Sequence, residues 1–71
     1  MKQMAVKPAF TDREYQVYSL LIAGYKNEKI ASILNIKERT VKHFCRLIYQ
    51  KLGVTTRAEA INRAAELGDI R

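Results

Sequence analysis

The stretch Asn27-Glu28-Lys29-Ile30-Ala31-Ser32-Ile33-Leu34-Asn35-Ile36-Lys37-Glu38-Arg39-Thr40-Val41-Lys42-His43-Phe44 decides the fold. Counted from Asn27, apolar residues stand fourth (Ile30), eighth (Leu34), tenth (Ile36), fifteenth (Val41) and eighteenth (Phe44), with Ala31 fifth and Asn35 ninth. Two helices that cross at close range need a small side chain where they meet, a turn residue tolerant of positive φ, and apolar residues under the crossing. The pattern predicts a short helix over 27–34, a turn at Asn35 with Ile36 plugged inward, and a longer helix over 38–52. Ile33 falls partly off the first helix's apolar face. On the second, Val41, Phe44, Cys45, Ile48 and Leu52 recur at i, i+3, i+4, i+7 and i+11, the stripe a helix buries, and Gly53 ends it.

Outward from this centre, Thr11-Asp12-Arg13-Glu14 and Thr56-Arg57-Ala58-Glu59 both have the form of a capping box, so each opens a helix. The first continues through Val17, Tyr18, Leu20 and Leu21 and ends near Ala23 ahead of Gly24, with Phe10 and Tyr15 set as a hydrophobic staple. The last runs through Ala60, Ile61, Ala64, Ala65 and Leu67, and Gly68 closes it. No stretch alternates long enough for a strand. The expected fold is therefore all-α, four helices forming a helix-turn-helix domain over 10–71, preceded by a flexible basic arm over 1–9 that carries Lys2, Lys7 and Pro8.

Composition agrees with one small domain. A chain of 71 residues buries only about 60% of its unfolded surface and has no room for a second core. Its residues are 48% hydrophobic and 28% charged, a globular balance. A net charge of +6 points to a polyanion, with nucleic acid ahead of a membrane surface. Five basic residues against Glu38 alone put +4 of it between Lys37 and Lys51. Cys45 and His43 stand alone, too few ligands for a structural zinc, so neither metal nor cofactor is expected. Catalysis is not expected either, for want of a phosphate loop, an HExxH or a second His or Cys. The longest strictly apolar run, Leu20 to Ala23, cannot span a bilayer, and Met1 to Phe10 has no secretion core, so the cytoplasm is expected. The basic residues surround a turn motif instead of lining one long amphipathic helix, which sets membrane binding aside.

From Phe10 to Ile70 the chain also resembles the GerE/LuxR/FixJ type of DNA-binding domain. Phe10-Thr11-Asp12-Arg13-Glu14-Tyr15-Gln16-Val17-Tyr18 follows that family's L-T-x-R-E-x-E-V-L, and Gly24 to Ala31 its G-x-S-N-K-E-I-A. Thr40-Val41-Lys42, Lys51-Leu52-Gly53-Val54 and Arg57-Ala58-Glu59-Ala60 follow its T-V-K, K-L-G-V and R-x-E-A. The resemblance implies a bacterial, nucleoid-associated transcription regulator that binds double-stranded DNA as a homodimer paired through the fourth helix, with RNA polymerase as a further partner. It departs from the family at Lys26 and Lys37, where Ser usually caps a helix, at Lys29, where Glu is usual, and at Phe44, where His is usual, with His43 moved to the outer face.

The outward face of the third helix holds Arg39, Lys42, His43 and Arg46 at i, i+3, i+4 and i+7. In a major groove these donors match guanine O6 and N7, and His43 can donate or accept, so all four are candidate base contacts. The resemblance implies base contacts for Lys42, His43 and Arg46 and a phosphate contact for Thr40. Lys26, Asn27, Lys37, Thr40 and Lys51 are the candidate phosphate contacts, the first four near helix starts where amides and dipole attract anions. Asn27 also reads as an ordinary N-cap, and Tyr25 and Tyr49 as core-edge aromatics with polar tips. Cys45 reads as a small core residue. Ala60, Ile61, Ala64, Ala65 and Leu67 together exceed what one narrow contact stripe needs, so Ile61, Ala64 and Ala65 are candidate dimer contacts, with packing inside one domain as the other reading. The competing expectation is a small interaction protein that pairs with a full-length regulator through the fourth helix and blocks its DNA binding.

Overall fold

The computed structural model describes residues 9–69, so all of the expected 1–9 arm but Ala9, and the last two residues, lie outside the described part. Four helices follow one another, α1 (Asp12–Ile22), α2 (Asn27–Leu34), α3 (Glu38–Leu52) and α4 (Arg57–Glu66), with no strand among the described residues. The boundaries of α2 and α3 are those expected from the sequence.

All four helices end alike, and their starts divide into two kinds. Each closes with an amide reaching back across six residues to a carbonyl: Tyr25 to Leu20 (3.1 Å), Ile36 to Ala31 (3.0 Å), Val54 to Tyr49 (3.0 Å) and Asp69 to Ala64 (2.9 Å). This closure needs a residue of positive φ just past the helix. In the turn between α2 and α3 that residue is Asn35 (φ 56°, ψ 48°), the one described non-glycine residue with positive φ. The closure throws Ile36 back toward the core and sets the angle at which α3 leaves. At the N-termini, Thr11 and Thr56 form complete capping boxes with Glu14 and Glu59 on α1 and α4. Lys26 and Lys37 occupy the N-cap positions of α2 and α3 with no side-chain cap bond. Asn27 is thus the first residue inside α2 and not its cap.

The core is built from Val17, Tyr18 and Leu21 of α1, Ile30 and Ala31 of α2, Val41, Cys45, Ile48 and Leu52 of α3, and Ala60 and Ala64 of α4. Phe10, Leu34, Ile36, Phe44, Val54 and Ile61 pack around it, partly buried. Each fully buried aliphatic side chain contributes roughly 1.5–3 kcal/mol of transfer free energy. Ala31, 8% exposed, is small enough for α2 and α3 to pack closely, as the crossing requires. Phe10 does not staple Tyr15: its ring lies 4.7 Å from that of Tyr18, one turn further along, and Tyr15 stays 58% exposed. Tyr18 is the deeper partner because Val17, Tyr18 and Leu21 form the face of α1 turned to the core.

Two polar ties cross this core edge. Glu14, 4% exposed, accepts from Lys51 Nζ at 2.6 Å, while the same ammonium donates to the Ala9 carbonyl at 2.9 Å. That contact, followed by the Thr11 amide, holds the Glu14 carboxyl below its ordinary range. The Tyr18 hydroxyl donates to Asp69 Oδ2 at 2.6 Å, joining α1 to the residue that closes α4, and burial raises its pKa.

Candidate nucleic-acid interface

The geometry of α3 sorts its residues by the helical period. Val41, Cys45, Ile48 and Leu52 are buried, with Phe44 half-buried beside them, so Arg39, Lys42, His43 and Arg46 all stand exposed on the opposite side. The His43 ring packs 5.7 Å from that of Phe44, which gives it a fixed neighbour on the helix surface. Arg39, Lys42 and Arg46 carry charge on this face unopposed by an acidic side chain of α3 beyond Glu38 in its first turn.

The candidate phosphate contacts separate into two groups. Lys26 and Lys37 are exposed at helix starts and Thr40 is half-buried, its amide donating to the Lys37 carbonyl at 3.0 Å. Lys51 is placed differently: its ammonium donates to Glu14 and to the Ala9 carbonyl, which makes it a tie between α3 and α1. The Asn27 side-chain oxygen is likewise taken, accepting from Arg57 Nη2 and, at 3.7 Å, from Cys45 Sγ. Its carbonyl end is therefore spent inside the fold. Burial raises the Cys45 thiol pKa, in keeping with the core role expected for it.

On α4 the candidate dimer residues split by depth. Ala64 is fully buried in the domain's own core and is withdrawn as a surface contact, because the period that brings Ala60 inward brings Ala64 with it. Ile61 is half-buried against the core, and Ala65 is exposed. Arg57 carries a role that sequence reasoning overlooked. It opens α4, and besides Asn27 it holds the Tyr25 carbonyl at 3.2 Å. The sequence shows Arg57 inside a capping box and offers no signal that it would reach across 30 positions to Asn27.

Among the described residues there is no cluster of His, Cys, Asp or Glu that could hold a metal, and no helix long and apolar enough to cross a membrane. Comparison with known proteins places the architecture. A family model described as bacterial regulatory proteins, luxR family, matches residues 8–64. The HTH-type transcriptional regulator MalT of Klebsiella pneumoniae subsp. pneumoniae is 46% identical over 57 residues, covering 80% of this chain. MalT of Yersinia pestis matches to the same extent, and in both cases the chain spans 6% of the relative's length. The Vibrio cholera VqmA chain, solved as a ligand and DNA complex, superposes with a TM-score of 0.82 at 25% identity, over 100% of this chain and 32% of that one. The DNA-binding domain of the response regulator ComA, solved with the anti-activator RapF, superposes with a TM-score of 0.75 at 30% identity, over 80% of this chain and 98% of that one. With the family model matching residues 8–64 and the fold shared with these DNA-binding domains, the chain belongs to the luxR family of bacterial regulatory proteins, as a helix-turn-helix DNA-binding domain.

Proposed function

We propose that the chain binds double-stranded DNA sequence-specifically as a homodimer on a pseudo-palindromic site, with α3 in the major groove, and so regulates transcription without catalysis. The observation that carries this reading is the single exposed face of Arg39, Lys42, His43 and Arg46 opposite a fully apolar stripe. A major groove about 12 Å wide admits one helix, and these side chains reach base edges from it. Lys26, Lys37 and Thr40 flank that face at the starts of α2 and α3, where phosphates would run. The VqmA neighbour, solved with DNA, supports the reading. Of the candidate dimer contacts, Ile61 and Ala65 of α4 are the two that reach the surface for a two-fold contact.

The test is selection of bound sequences from random duplex DNA. A two-fold-symmetric motif with two half-sites is the expected result, and recovery of no sequence preference would overturn it. The ComA domain, solved with the anti-activator RapF, supports only that a domain of this fold can take a protein partner, and the alternative reading is that α4 pairs with a full-length regulator and blocks its DNA binding. That alternative predicts no base-specific binding by the chain alone and loss of DNA binding by the regulator it joins.

A further inference from the structure

The starts of α2 and α4 meet at one guanidinium. Arg57, half-buried, donates from Nη1 to the Tyr25 carbonyl at 3.2 Å and from Nη2 to Asn27 Oδ1, and Cys45 of α3 donates to that same oxygen at 3.7 Å. Three helices thus converge on one amide. With both donors on Oδ1, the Asn27 side chain can turn only its Nδ2 donor away from them. Asn27 lines an open cleft together with Lys42, Arg46, Tyr49 and Thr55, so the amide held by Arg57 adjoins two of the candidate base contacts. The Tyr25 carbonyl lies just before Lys26, the exposed residue at the start of α2 that has no cap of its own.

We propose that Arg57 is a positioning residue for DNA docking. Its forked donors lock the uncapped start of α2 against α4 and set the Asn27 amide, so that the α2 start and the basic face of α3 meet the duplex as one rigid surface. Arg57 itself touches no phosphate. The fork supplies from outside what a Ser at the Lys26 position would supply from within, a fixed first turn. A planar guanidinium reaches two acceptors at fixed separation, and an ammonium does not hold that geometry. The inference rests on the reading of α3 as the helix that enters the groove.

The experiment compares wild type with Arg57→Lys, which keeps the charge and loses the fork, and Arg57→Met, which loses both. Each is measured on the duplex recovered by selection, across a salt series, below the melting transition of every variant. Both variants are expected to bind roughly tenfold more weakly, the size of one lost charge-assisted hydrogen bond, with the salt slope of Arg57→Lys equal to that of wild type. The Ile30 amide, which donates to the Lys26 carbonyl at 2.9 Å, should exchange with solvent several times faster in both, while the Val41 amide of α3 is unchanged. Wild-type affinity in Arg57→Lys, with only Arg57→Met weakened and its slope lower by about one, would make Arg57 a plain charge on the backbone and overturn the inference. Unchanged affinity in both folded variants would overturn it as well. A wild-type chain that binds none of the selected duplexes would instead sink the DNA reading, and the positioning role with it.

Discussion

At the residue scale, lysines and arginines that look alike in composition hold different posts. Lys42 and Arg46 are exposed on the outer face of α3, whereas Lys51, five residues beyond Arg46, faces the core edge and neutralises Glu14. If Arg46 or Lys42 reads a base, alanine there costs roughly 1–3 kcal/mol on the selected site and relaxes preference at one position per half-site. Equal losses on selected and scrambled duplexes would reassign the residue to the backbone. Lys51→Met should behave oppositely. It strands a buried carboxylate, lowering stability by about 1–3 kcal/mol near neutral pH, and leaves the salt slope of DNA binding unchanged. Because Glu14 titrates below its ordinary value of 4.5 in the fold, its contribution is present in full above that pH. It is lost as the pH falls through the lowered folded value. The melting temperature of the wild type should therefore drop more steeply in acid than that of Lys51→Met, and parallel acid profiles would show that the pair adds nothing.

At the element scale, the two kinds of helix start follow a division of labour. The scaffold helices α1 and α4 carry complete capping boxes, while α2 and α3, the helices of the proposed DNA face, begin at bare lysines. A lysine there opposes the helix dipole by about 0.3–1 kcal/mol and forgoes a side-chain cap worth about 1 kcal/mol. Facing a duplex, the same ammonium releases a counterion. Lys37→Ser should therefore raise the melting temperature of the free domain by several degrees, at about 4–8 °C per kcal/mol for a domain of this size. It should also weaken DNA binding and flatten the salt slope by about one per protomer, with Lys26→Ser following in the same direction. A Lys37→Ser chain that melts higher but binds with the same affinity and slope would show that the lysine meets no phosphate.

At the scale of the whole molecule, α4 serves two surfaces. One side, Ala60 and Ala64, seals the core, and Ala65 looks out. Arginine at the two neighbouring alanines should therefore separate folding from assembly. Ala64→Arg forces a charge into the core and should abolish the helical circular dichroism. Ala65→Arg should leave the domain folded and weaken dimeric DNA binding if this face forms the two-fold contact. Unchanged binding by a folded Ala65→Arg chain would move the dimer contact elsewhere on α4 or off it.

The sequence by itself determined the helix count, the turn at Asn35, both capping boxes and the approximate span of α2 and α3, because each rests on residues within a turn or two of one another. Apolar spacing likewise determined which side of α3 is outward. Only the tertiary structure decided that Lys51 pairs with Glu14, that Phe10 meets Tyr18, that Tyr18 closes onto Asp69, and that Arg57 holds Asn27. It also decided which of two adjacent alanines on α4 is buried. Each of these pairings except Phe10 with Tyr18 joins residues 30 or more positions apart. A helical period specifies which side of a helix is apolar, but not which distant polar atom a long side chain will meet once the helices pack.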